Sequence, residues 1–381
     1  MNILAINPSE RRQAIKFLEL PHRLYANTPQ WVPPLAPDAR RMLDTKRNPF
    51  FKHSEAAFFL ALDDREIPRG RLAILNNRNY NDYNQEKTAF FYLFECENNQ
   101  TTATLLFDAA IQWARSRGLG KIVGPKGFTI FDGLGMLVKG FEHRPAFGLP
   151  YNLPYYPELI EAIGFQCDGE LVSGYLNSQM QFPEKIHEVA KLLQERRGLR
   201  VARFKSRRDL KAFVPKLKDL YNGALGSTSG NAPLTDEEVN SLADQMIWFA
   251  NPRLLKIVFK DDQPVGFLLA YPDISAAVQR NKGSVFPLGW IDLLFELRRT
   301  KWININGAGM LEGYRGLGGT ALLFSEMYKS VVEEGYQHAD LVQIGTENQR
   351  MLRELQGLGI VFYKTHRMYS LHIPINVVRK S

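Results

Sequence analysis

The chain has 381 residues, a formal net charge of +8 and two cysteines, and 45% of its residues are hydrophobic. This composition is typical of a folded globular protein and excludes a disordered one. Cys96 and Cys167 are too few for a disulfide framework or a four-thiolate zinc site, so we expect no bound metal. The N-terminus lacks a basic segment before an apolar one, and no apolar run approaches ~20 residues. We therefore expect a cytoplasmic protein without a membrane partner.

Two segments about half a chain apart share a pattern of strand, tight polar turn and strand. The first turn contains Pro68 and Gly70, and the second contains Pro264 and Gly266 at an identical separation. Each pattern predicts a β-hairpin. A glycine that closes an apolar helix also repeats at nearly this separation, at Gly164 in the first half. The repeat predicts two copies of one fold, in residues 1–180 and 181–381.

Each half then continues with alternating strands and helices. Apolar residues at helical spacing predict the helices, and short apolar runs predict the strands. In the first half, we expect strands at 89–96 and 121–124 and helices at 101–117 and 157–163. In the second half, we expect helices at 184–197, 208–225, 319–334 and 348–358 and strands at 199–204, 302–311, 339–344 and 361–370.

Two long segments do not fit the repeat, residues 124–156 and 273–299. Loops of this length inside compact domains are often lids or binding segments, but they can also simply cover a sheet or a dimer contact. Within the first, Lys126 and Asp132 either meet a substrate or only shape the loop. The sequence leaves both interpretations open.

A glycine-rich segment, residues 313–323, stands between a predicted strand and a predicted helix. Gly316, Gly318 and Gly319 permit positive φ angles and let an anion approach the backbone, where a helix N-terminus leaves N–H groups without acceptors. Arg315 adds a positive charge. The segment therefore suits a phosphate or pyrophosphate. Its spacing is not that of a dinucleotide-binding fingerprint, and we expect no parallel strand-helix-strand unit around it.

Residues 314–320, Tyr-Arg-Gly-Leu-Gly-Gly-Thr, resemble the acyl-CoA pyrophosphate loop of the GNAT superfamily of N-acyltransferases. Asn348 and the later pair Leu358-Gly359 resemble the second segment of that family. The resemblance covers nearly all of the second half. The first half resembles the same fold in a degenerate form, because residues 95–99 occupy the loop position without a glycine. The whole chain resembles a poorly characterised bacterial group of tandem GNAT proteins.

The resemblance implies an α/β fold of two tandem GNAT-like domains, each a mixed, largely antiparallel sheet flanked by helices. It implies an enzyme, an N-acyltransferase that takes an acyl group from acyl-CoA, such as acetyl-CoA, to a small primary amine. The second domain would bind the CoA, and the first would supply the acceptor side. The implied cofactor-binding residues are those of the loop and of the strand before it: Ala308, Met310, Arg315, Gly316, Gly318, Gly319 and Thr320.

Three departures from the family pattern weaken the catalytic inference. Thr320 stands where a glycine or alanine is expected, and Leu355 stands where many members carry a tyrosine acid. No carboxylate lies on the strand at 302–306, where a general base is often found. Losing a positioned acid or base typically costs ~10²–10⁴ in rate. The CoA-binding inference is therefore the stronger one.

Three residues remain as catalytic candidates, each with a plainer interpretation. Tyr363 is either the missing acid or a core tyrosine. Asn348 either contacts a ligand or caps its own helix, and both roles are compatible. Glu95, with Glu97 on the same side of a strand, either receives a cationic amine or lies at a solvated strand end. Cys96 points the other way, and we expect it to be buried.

Two alternative functions stay open. The first is a non-catalytic ligand- or partner-binding protein on the same fold. The second is an acyl or aminoacyl transferase with a carrier-bound or tRNA-bound donor, for which the basic run at 196–211 would be the docking face. That run lacks interleaved aromatic residues, so we do not expect nucleic acid as a partner. The oligomeric state is open, and a homodimer is compatible with the sequence.

Overall fold

The computed structural model describes residues 1–177, 179, 183–225 and 231–374. The predicted boundary between residues 180 and 181 lies outside these ranges. The described residues form one continuous mixed sheet flanked by helices on both faces, as the sequence predicted for the fold class. Its strands are β1 (Asn2–Ala5), β2 (Glu55–Leu62), β3 (Pro68–Asn76), β4 (Thr88–Cys96), β5 (Lys121–Gly124), β6 (Met136–Lys139), β7 (Gln166–Asn177), β8 (Leu199–Val201), β9 (Leu255–Lys260), β10 (Gln263–Pro272), β11 (Trp302–Met310), β12 (His338–Gly345) and β13 (Val361–His372).

The helices match most of the predicted ones within one or two residues. They are α1 (Arg11–Leu24), α2 (Ala36–Leu43), α3 (Arg78–Asn84), α4 (Gln100–Arg115), α5 (Tyr156–Glu161), α6 (Glu184–Arg197), α7 (Arg207–Leu225), α8 (Asp236–Met246), α9 (Ser275–Arg280), α10 (Gly289–Arg299), α11 (Gly319–Glu333) and α12 (Gln349–Gly357). The strand predicted at 199–204 ends early at Val201. Asp209 accepts hydrogen bonds from the N–H groups of Lys205 and Ser206, which form the turn into α7 instead.

The predicted repeat is visible in the strand pairing. β2 pairs with β3 and β9 pairs with β10 as antiparallel hairpins, at the two positions that the sequence indicated. In each half a helix then connects two parallel strands, α4 between β4 and β5 and α11 between β11 and β12. The expectation that no parallel strand-helix-strand unit surrounds the glycine-rich loop was therefore wrong. Apolar runs in the sequence predict strands, but they do not determine whether two strands pair parallel or antiparallel. That depends on the end of the sheet to which the connecting helix brings the chain back.

The two halves are joined by an exchange of strands at the centre of the sheet. The strand order is β1-β2-β3-β4-β5-β13-β7-β12-β11-β10-β9-β8, and β6 pairs with β13 beside this path. Thus β13, from the end of the chain, lies next to β5 of the first half. β7, from the first half, lies next to β12 of the second half. β7 and β13 pair antiparallel along most of their length. Each half therefore completes the sheet of the other.

The helices cover both faces of this sheet and bury separate apolar clusters. In the first half, α4 and α5 pack on one face and α1 on the other. In the second half, α6 and α11 pack on one face, and α7 packs on the other against β9 and β10. α4 shows how local sequence sets this arrangement. Its buried residues Ala103, Leu106, Ala110 and Ala114 recur at helical spacing, and the Asn99 side chain caps its first turn.

Because the central strands are exchanged, the halves should not fold apart. We expect fragments 1–180 and 181–381 to aggregate when expressed singly and to co-purify when expressed together. Without β7, the facing edges of β12 and β13 expose unpaired backbone groups, which promotes aggregation. Size-exclusion chromatography of the separate and co-expressed fragments tests this expectation. A monomeric 181–381 fragment with a cooperative thermal transition would contradict it.

Candidate functional site

The glycine-rich loop leads from β11 into α11, as the sequence predicted. A short turn, Glu312–Tyr314, follows the strand, and the helix begins at Gly319. Gly316 and Gly318 have φ angles of 77° and 88°, which L side chains rarely adopt. Gly318 is the N-cap of α11, so this cap lacks a side chain that could occupy the free N–H groups of the first turn. Gly316 is exposed, whereas Gly318 is half-buried beside Leu193 of α6 and Gly319 is buried.

The end of β11 and the start of α11 lie in direct contact. A Cβ on Gly319 would lie 2.5 Å from the Met310 Cε atom, so a larger residue here would displace the end of the Met310 side chain. Met310 is buried, whereas Ala308 and Thr320 are half-buried on either side of the contact. Four of the predicted cofactor-binding residues are thereby brought together at one junction of strand and helix.

Arg315 lies at this loop but uses part of its guanidinium elsewhere. Its Nε donates to the carbonyl of Met310 at 3.2 Å, and its Nη2 donates to the carbonyl of Ala224 at 2.8 Å. These bonds tie the loop to the end of α7. The positive charge predicted beside the cradle is present. In this conformation the Arg315 guanidinium also stabilises the loop through these hydrogen bonds.

A second cation, Arg350, stands over the loop, although the sequence alone did not predict it as a site residue. A Cβ on Gly316 would lie 3.3 Å from Arg350 Nη1 and 3.4 Å from its Nη2. The side chain is exposed, and its Nε donates to Glu354 at 3.0 Å. Its two Nη groups face the glycine from α12. A guanidinium in this place suits an anion held on the loop.

Asn348 caps α12, because its side-chain oxygen accepts a hydrogen bond from the Met351 N–H at 3.1 Å. This confirms the plainer of the two roles that the sequence suggested. The cap also places Arg350 in the first turn of α12. A direct contact between Asn348 and a ligand stays a prediction.

Beyond this junction the two parallel strands separate. β11 pairs with β12 only from Trp302 to Ile305. After a bulge with Gly307 at a φ of 107°, residues 308–310 of β11 pair with β10 alone, while β12 continues along β7. A gap therefore opens between β11 and β12, next to the glycine-rich loop. Such a gap can admit a narrow extended group between two strands.

An apolar cavity lies on the α7 and α8 face of the sheet, beside this gap. Its enclosed space is about 130 Å³, and it opens to solvent at its mouth. Asn306 and Tyr271 contribute the polar groups of its floor, and Asn306 Nδ2 donates to the Tyr271 hydroxyl at 3.3 Å. The apolar side chains that line it include Leu217, Leu242, Met246, Phe249, Phe267 and Leu269. The cavity suits a long apolar group with a polar end.

Behind the floor lies a cluster of polar residues, which we call the floor cluster: the buried Asp273, Asn304, Asp340 and Lys364, and the half-buried Tyr363. Lys364 Nζ and Asp340 Oδ2 are 2.6 Å apart, and their side chains are 1% and 3% exposed. Asn304 faces Asp340 in the strand register and donates to Asp273 at 3.0 Å. Asp340 Oδ1 and Asn304 Oδ1 have no hydrogen-bond partner among the described residues.

The floor cluster contains two carboxylates, Asp273 and Asp340, which lie against Asn304 of the strand at 302–306. Burial raises the pKa of Asp340, and the Lys364 ammonium opposes that rise. Burial followed by the Asp340 charge also raises the pKa of Tyr363 above its ordinary value, so its hydroxyl holds its proton firmly. Tyr363 lies between the rings of His143 and Tyr175, away from the glycine-rich loop. The structure therefore places it at the floor cluster and not with Arg315.

Comparisons with known proteins fit this architecture. No family model matches the sequence. Protein YghO of Escherichia coli strain K12 is 25% identical over 364 residues, which cover 94% of this chain and 92% of that protein. A Caulobacter vibrioides protein named bacterial ceramide synthase is 27% identical over 365 residues, 93% of each chain. A solved tandem GNAT protein from the clavulanic acid biosynthesis pathway superposes with a TM-score of 0.56 at 11% identity, covering 97% of this chain and 98% of that one.

The chain has the tandem GNAT fold. This is the fold that the loop, the second segment and the repeat indicated in the sequence. Acetyltransferases are among the solved proteins that share it, including one from Sphaerobacter thermophilus with a TM-score of 0.52 at 12% identity, over 97% of this chain and 95% of that one. At these identities the likeness establishes the architecture alone.

The first copy of the GNAT fold carries the same strand bulge but fills its site with side chains. Leu93 has a φ of 52° at the place in β4 that corresponds to Gly307 in β11. The Cys96 N–H donates to the Tyr156 hydroxyl at 3.0 Å, and the Tyr155 hydroxyl donates to the Cys96 carbonyl at 2.7 Å. The Asn99 side chain occupies the N-terminus of α4. These contacts close the place where a ligand would lie in the first half.

Glu95 belongs to this closed region. Its Oε2 accepts hydrogen bonds from the hydroxyls of Tyr25 at 2.7 Å and Tyr156 at 2.8 Å, and Arg71 lies 3.6 Å from its Oε1. Burial raises the pKa of Glu95, and the Arg71 charge opposes that rise. Glu97 is paired with Arg69. Neither carboxylate stands open toward an amine, so the structure gives the predicted amine-receiving role no support.

The structure shows the surroundings of three further residues of the first half that the sequence singled out. Cys96 is buried as expected, and burial raises the pKa of its thiol to about 12. Lys126 lies over the rings of Tyr80 and Phe90 at 4.4 and 4.6 Å. Asp132 accepts a hydrogen bond from the Thr129 N–H and caps the turn that contains it. Lys126 and Asp132 therefore shape their loop.

Among the described residues, no group of three or more His, Cys, Asp or Glu side chains is arranged to hold a metal ion. Within the same ranges, no helix combines the length and the apolarity that a bilayer crossing requires.

The buried pair at the floor cluster offers a stability test. We expect Lys364→Met to lower the free energy of unfolding by about 3–5 kcal/mol, because it leaves Asp340 buried without its counter-charge. The double variant Lys364→Met with Asp340→Leu should recover most of that loss. Urea unfolding measures both effects.

Lys329→Met provides the matched control, because its 2.6 Å pair with Glu326 involves a half-exposed lysine. We expect it to cost less than ~1 kcal/mol. Equal losses from Lys364→Met and Lys329→Met would contradict the assignment of a coupled buried pair.

Proposed function

We propose that the protein is an acyl-CoA-dependent N-acyltransferase whose second half binds the CoA thioester. The observation that carries this proposal is the open glycine loop at the N-terminus of α11, beside the gap between β11 and β12. The free N–H groups of the helix and the Arg350 guanidinium suit the pyrophosphate. The gap suits the pantetheine arm, and the N–H groups at 308–310 are candidates to polarise the thioester carbonyl.

The acceptor that fits the cavity is a primary amine with a long apolar chain. Its chain would lie among the side chains of α7 and α8, and its polar end would reach Asn306 and Tyr271 at the floor. The sequence predicted a small amine, and because of the cavity we propose a long-chain amine in its place. The Caulobacter relative named bacterial ceramide synthase supports it, because a ceramide is the amide of a long-chain amino alcohol. We keep the cytoplasm as the predicted location.

The floor cluster supplies the candidate for proton removal. An amine must lose a proton to attack a thioester. A general base removes this proton best when its pKa is close to neutral pH. Asp340 Oδ1 is buried without a hydrogen-bond partner among the described residues. Lys364 and Tyr363 would orient this carboxylate, so we assign Tyr363 a positioning role. The departing thiolate must be protonated, and we assign no side chain to that step.

A non-catalytic binding protein on the same fold is the second candidate. Leu355, which replaces the tyrosine acid that the resemblance implied, is 1% exposed and packs in the core of the second half. A ligand could therefore bind without turnover. Formation of an amide product from an acyl-CoA and a long-chain amine, followed by mass spectrometry, separates the two candidates.

Charge reversal on α12 tests CoA binding. We expect Arg350→Glu to weaken CoA binding by roughly 10- to 100-fold, because it removes a charge-assisted bond to phosphate. Isothermal titration calorimetry measures the affinity. Arg353→Glu is the matched control, since Arg353 lies on the same helix, is exposed and donates to the carbonyl of Gln349. If the wild type binds neither CoA nor acyl-CoA, the proposal is wrong.

Filling the cavity tests the acceptor. We expect Ala243→Trp to lower turnover of long-chain amines at least ~10-fold and to leave short amines unaffected, because the indole occupies the space of the chain. Asn240→Trp, on the exposed side of α8, is the control. Steady-state rates across amines and acyl-CoAs of increasing length give the answer. Selectivity that changes only with the length of the acyl donor would contradict the acceptor assignment.

A further inference from the structure

A surface patch of large apolar side chains lies on α10 and the segment before it. Phe286 is 76% exposed, Leu288 67%, Phe295 58%, and Trp290 and Leu294 46% each. All five fall within ten residues of chain. Single exposed apolar residues are ordinary, but a contiguous group of this size indicates an interaction surface.

α10 is fixed so that this patch points outward. Gly289, Leu293 and Glu296 form its buried side, and Leu293 packs in a cluster with residues of α9. Arg280 of α9 holds Asp292 at 2.8 Å and also pairs with Glu296. The exposed apolar side chains therefore belong to an anchored amphipathic helix and not to a frayed end.

The charges around the patch are mostly positive. Asp292 and Glu296 are both paired with Arg280 and Arg299, which neutralise them. Lys282 and Arg298 are exposed on the same segment. An apolar helix face bordered by cations is the pattern of helices that lie in the interface of a bilayer.

A second cationic area adjoins the patch through Trp248. A hollow lined by Arg207, Arg208, Lys211, Ile247 and Trp248 opens at the start of α7. Trp248 and Leu297 of α10 pack against the same buried apolar cluster, so the hollow and α10 rest on one part of the core. Asp244 pairs with Lys211, and Asp209 at the start of α7 is a second acidic group at this edge. The two arginines still give the area a net positive charge.

The hollow also adjoins the acceptor cavity. Ile247 lines both, on opposite sides of the end of α8. Shared packing therefore links Leu297 of α10 with Trp248, and the neighbouring Ile247 lines both the hollow and the cavity. A molecule that leaves a lipid layer at α10 would have a short route to the cavity.

We propose that residues 286–298, together with Arg207, Arg208 and Lys211, form a docking face for the surface of an anionic lipid bilayer. The apolar side chains of α10 enter the headgroup region, and the arginines and lysines contact lipid phosphates. The route to the cavity rests on the proposed function, but the docking itself does not. The sequence-based expectation of no membrane partner considered spanning segments only, and an interfacial helix needs none.

A second copy of this chain is the other occupant that the patch could take. A symmetric contact would bring the cations of one copy against the same cations of the other. Like charges disfavour that contact, whereas the phosphates of anionic lipids complement them. The charge pattern therefore favours the bilayer.

Vesicle co-sedimentation of the full chain tests the proposal. We expect the wild type to bind vesicles of phosphatidylcholine with phosphatidylglycerol, and to bind pure phosphatidylcholine vesicles more weakly. Leu294→Ser with Phe295→Ser should reduce partitioning at least ~10-fold, through loss of buried apolar area. Arg208→Gln with Lys211→Gln should reduce binding to the anionic vesicles by roughly 30-fold and flatten its salt dependence.

Matched controls use exposed residues on other faces. Leu192→Ser with Val332→Ser removes comparable exposed apolar groups, and Arg11→Gln with Arg12→Gln removes two exposed cations. Neither control should change vesicle binding. Brominated acyl chains should quench the tryptophan fluorescence of the wild type, and Trp290→Phe should lose most of that quenching.

The outcomes are distinct from those of the function tests. Absence of wild-type binding to anionic vesicles, or equal losses from patch and control variants, overturns the proposal. A patch variant that changes the mass in light scattering, while wild type ignores vesicles, assigns the face to a second copy and also overturns it. CoA binding by calorimetry is measured without lipid, so a failure there leaves the vesicle result intact.

Discussion

The antiparallel pairing of β7 with β13 is the contact on which the rest of the structure depends. β7 joins β12 of the second half, and β13 joins β5 of the first, so the backbone hydrogen bonds of each half are completed by the other. This exchange fixes the two halves in one orientation. It also places the first-half segment around Phe147 against Asp273 and Tyr271 of the second half. The floor cluster thus exists only in the assembled sheet.

The two copies of the fold keep one backbone feature and differ in what surrounds it. Both separate their parallel strands after a bulge, at Leu93 in one half and Gly307 in the other. In the first copy, tyrosine hydroxyls and the Asn99 cap use the backbone groups that this separation frees. In the second copy, glycines leave the helix N-terminus open, and Arg350 stands over it. A ligand can therefore be proposed for the second copy alone, although the fold of both is alike.

Three features of the second half are linked by shared residues. The docking face of α10 connects through Trp248 to the hollow at α7, and Ile247 separates the hollow from the cavity. The cavity ends at Asn306 and Tyr271, beside the gap between β11 and β12. An apolar path with a polar end suits an amphipathic molecule, because the chain is removed from water while its head meets groups that can hydrogen-bond. The proposed lipid surface, acceptor site and donor site are thereby consistent with one substrate class.

The sequence by itself determined the features that depend on neighbouring residues. The spacing of apolar residues, the turn residues and the helix caps predicted the hairpins and most helix boundaries. They also predicted the glycine loop and the Asn348 cap, because a few consecutive residues determine these conformations. The resemblance of the loop gave the GNAT fold. The burial of Cys96 followed from the alternation of inward- and outward-facing residues along a strand.

Only the tertiary structure decided which distant residues meet. The exchange of β7 and β13, the parallel pairing of β11 with β12, and the pairing of Glu95 with Arg71 depend on long-range register. So do the positions of Asp340 opposite Asn304 and of Arg350 over Gly316. No local pattern encodes these contacts, because many pairings of the same strands satisfy the same alternation of apolar and polar residues. Packing of the whole sheet selects one of them.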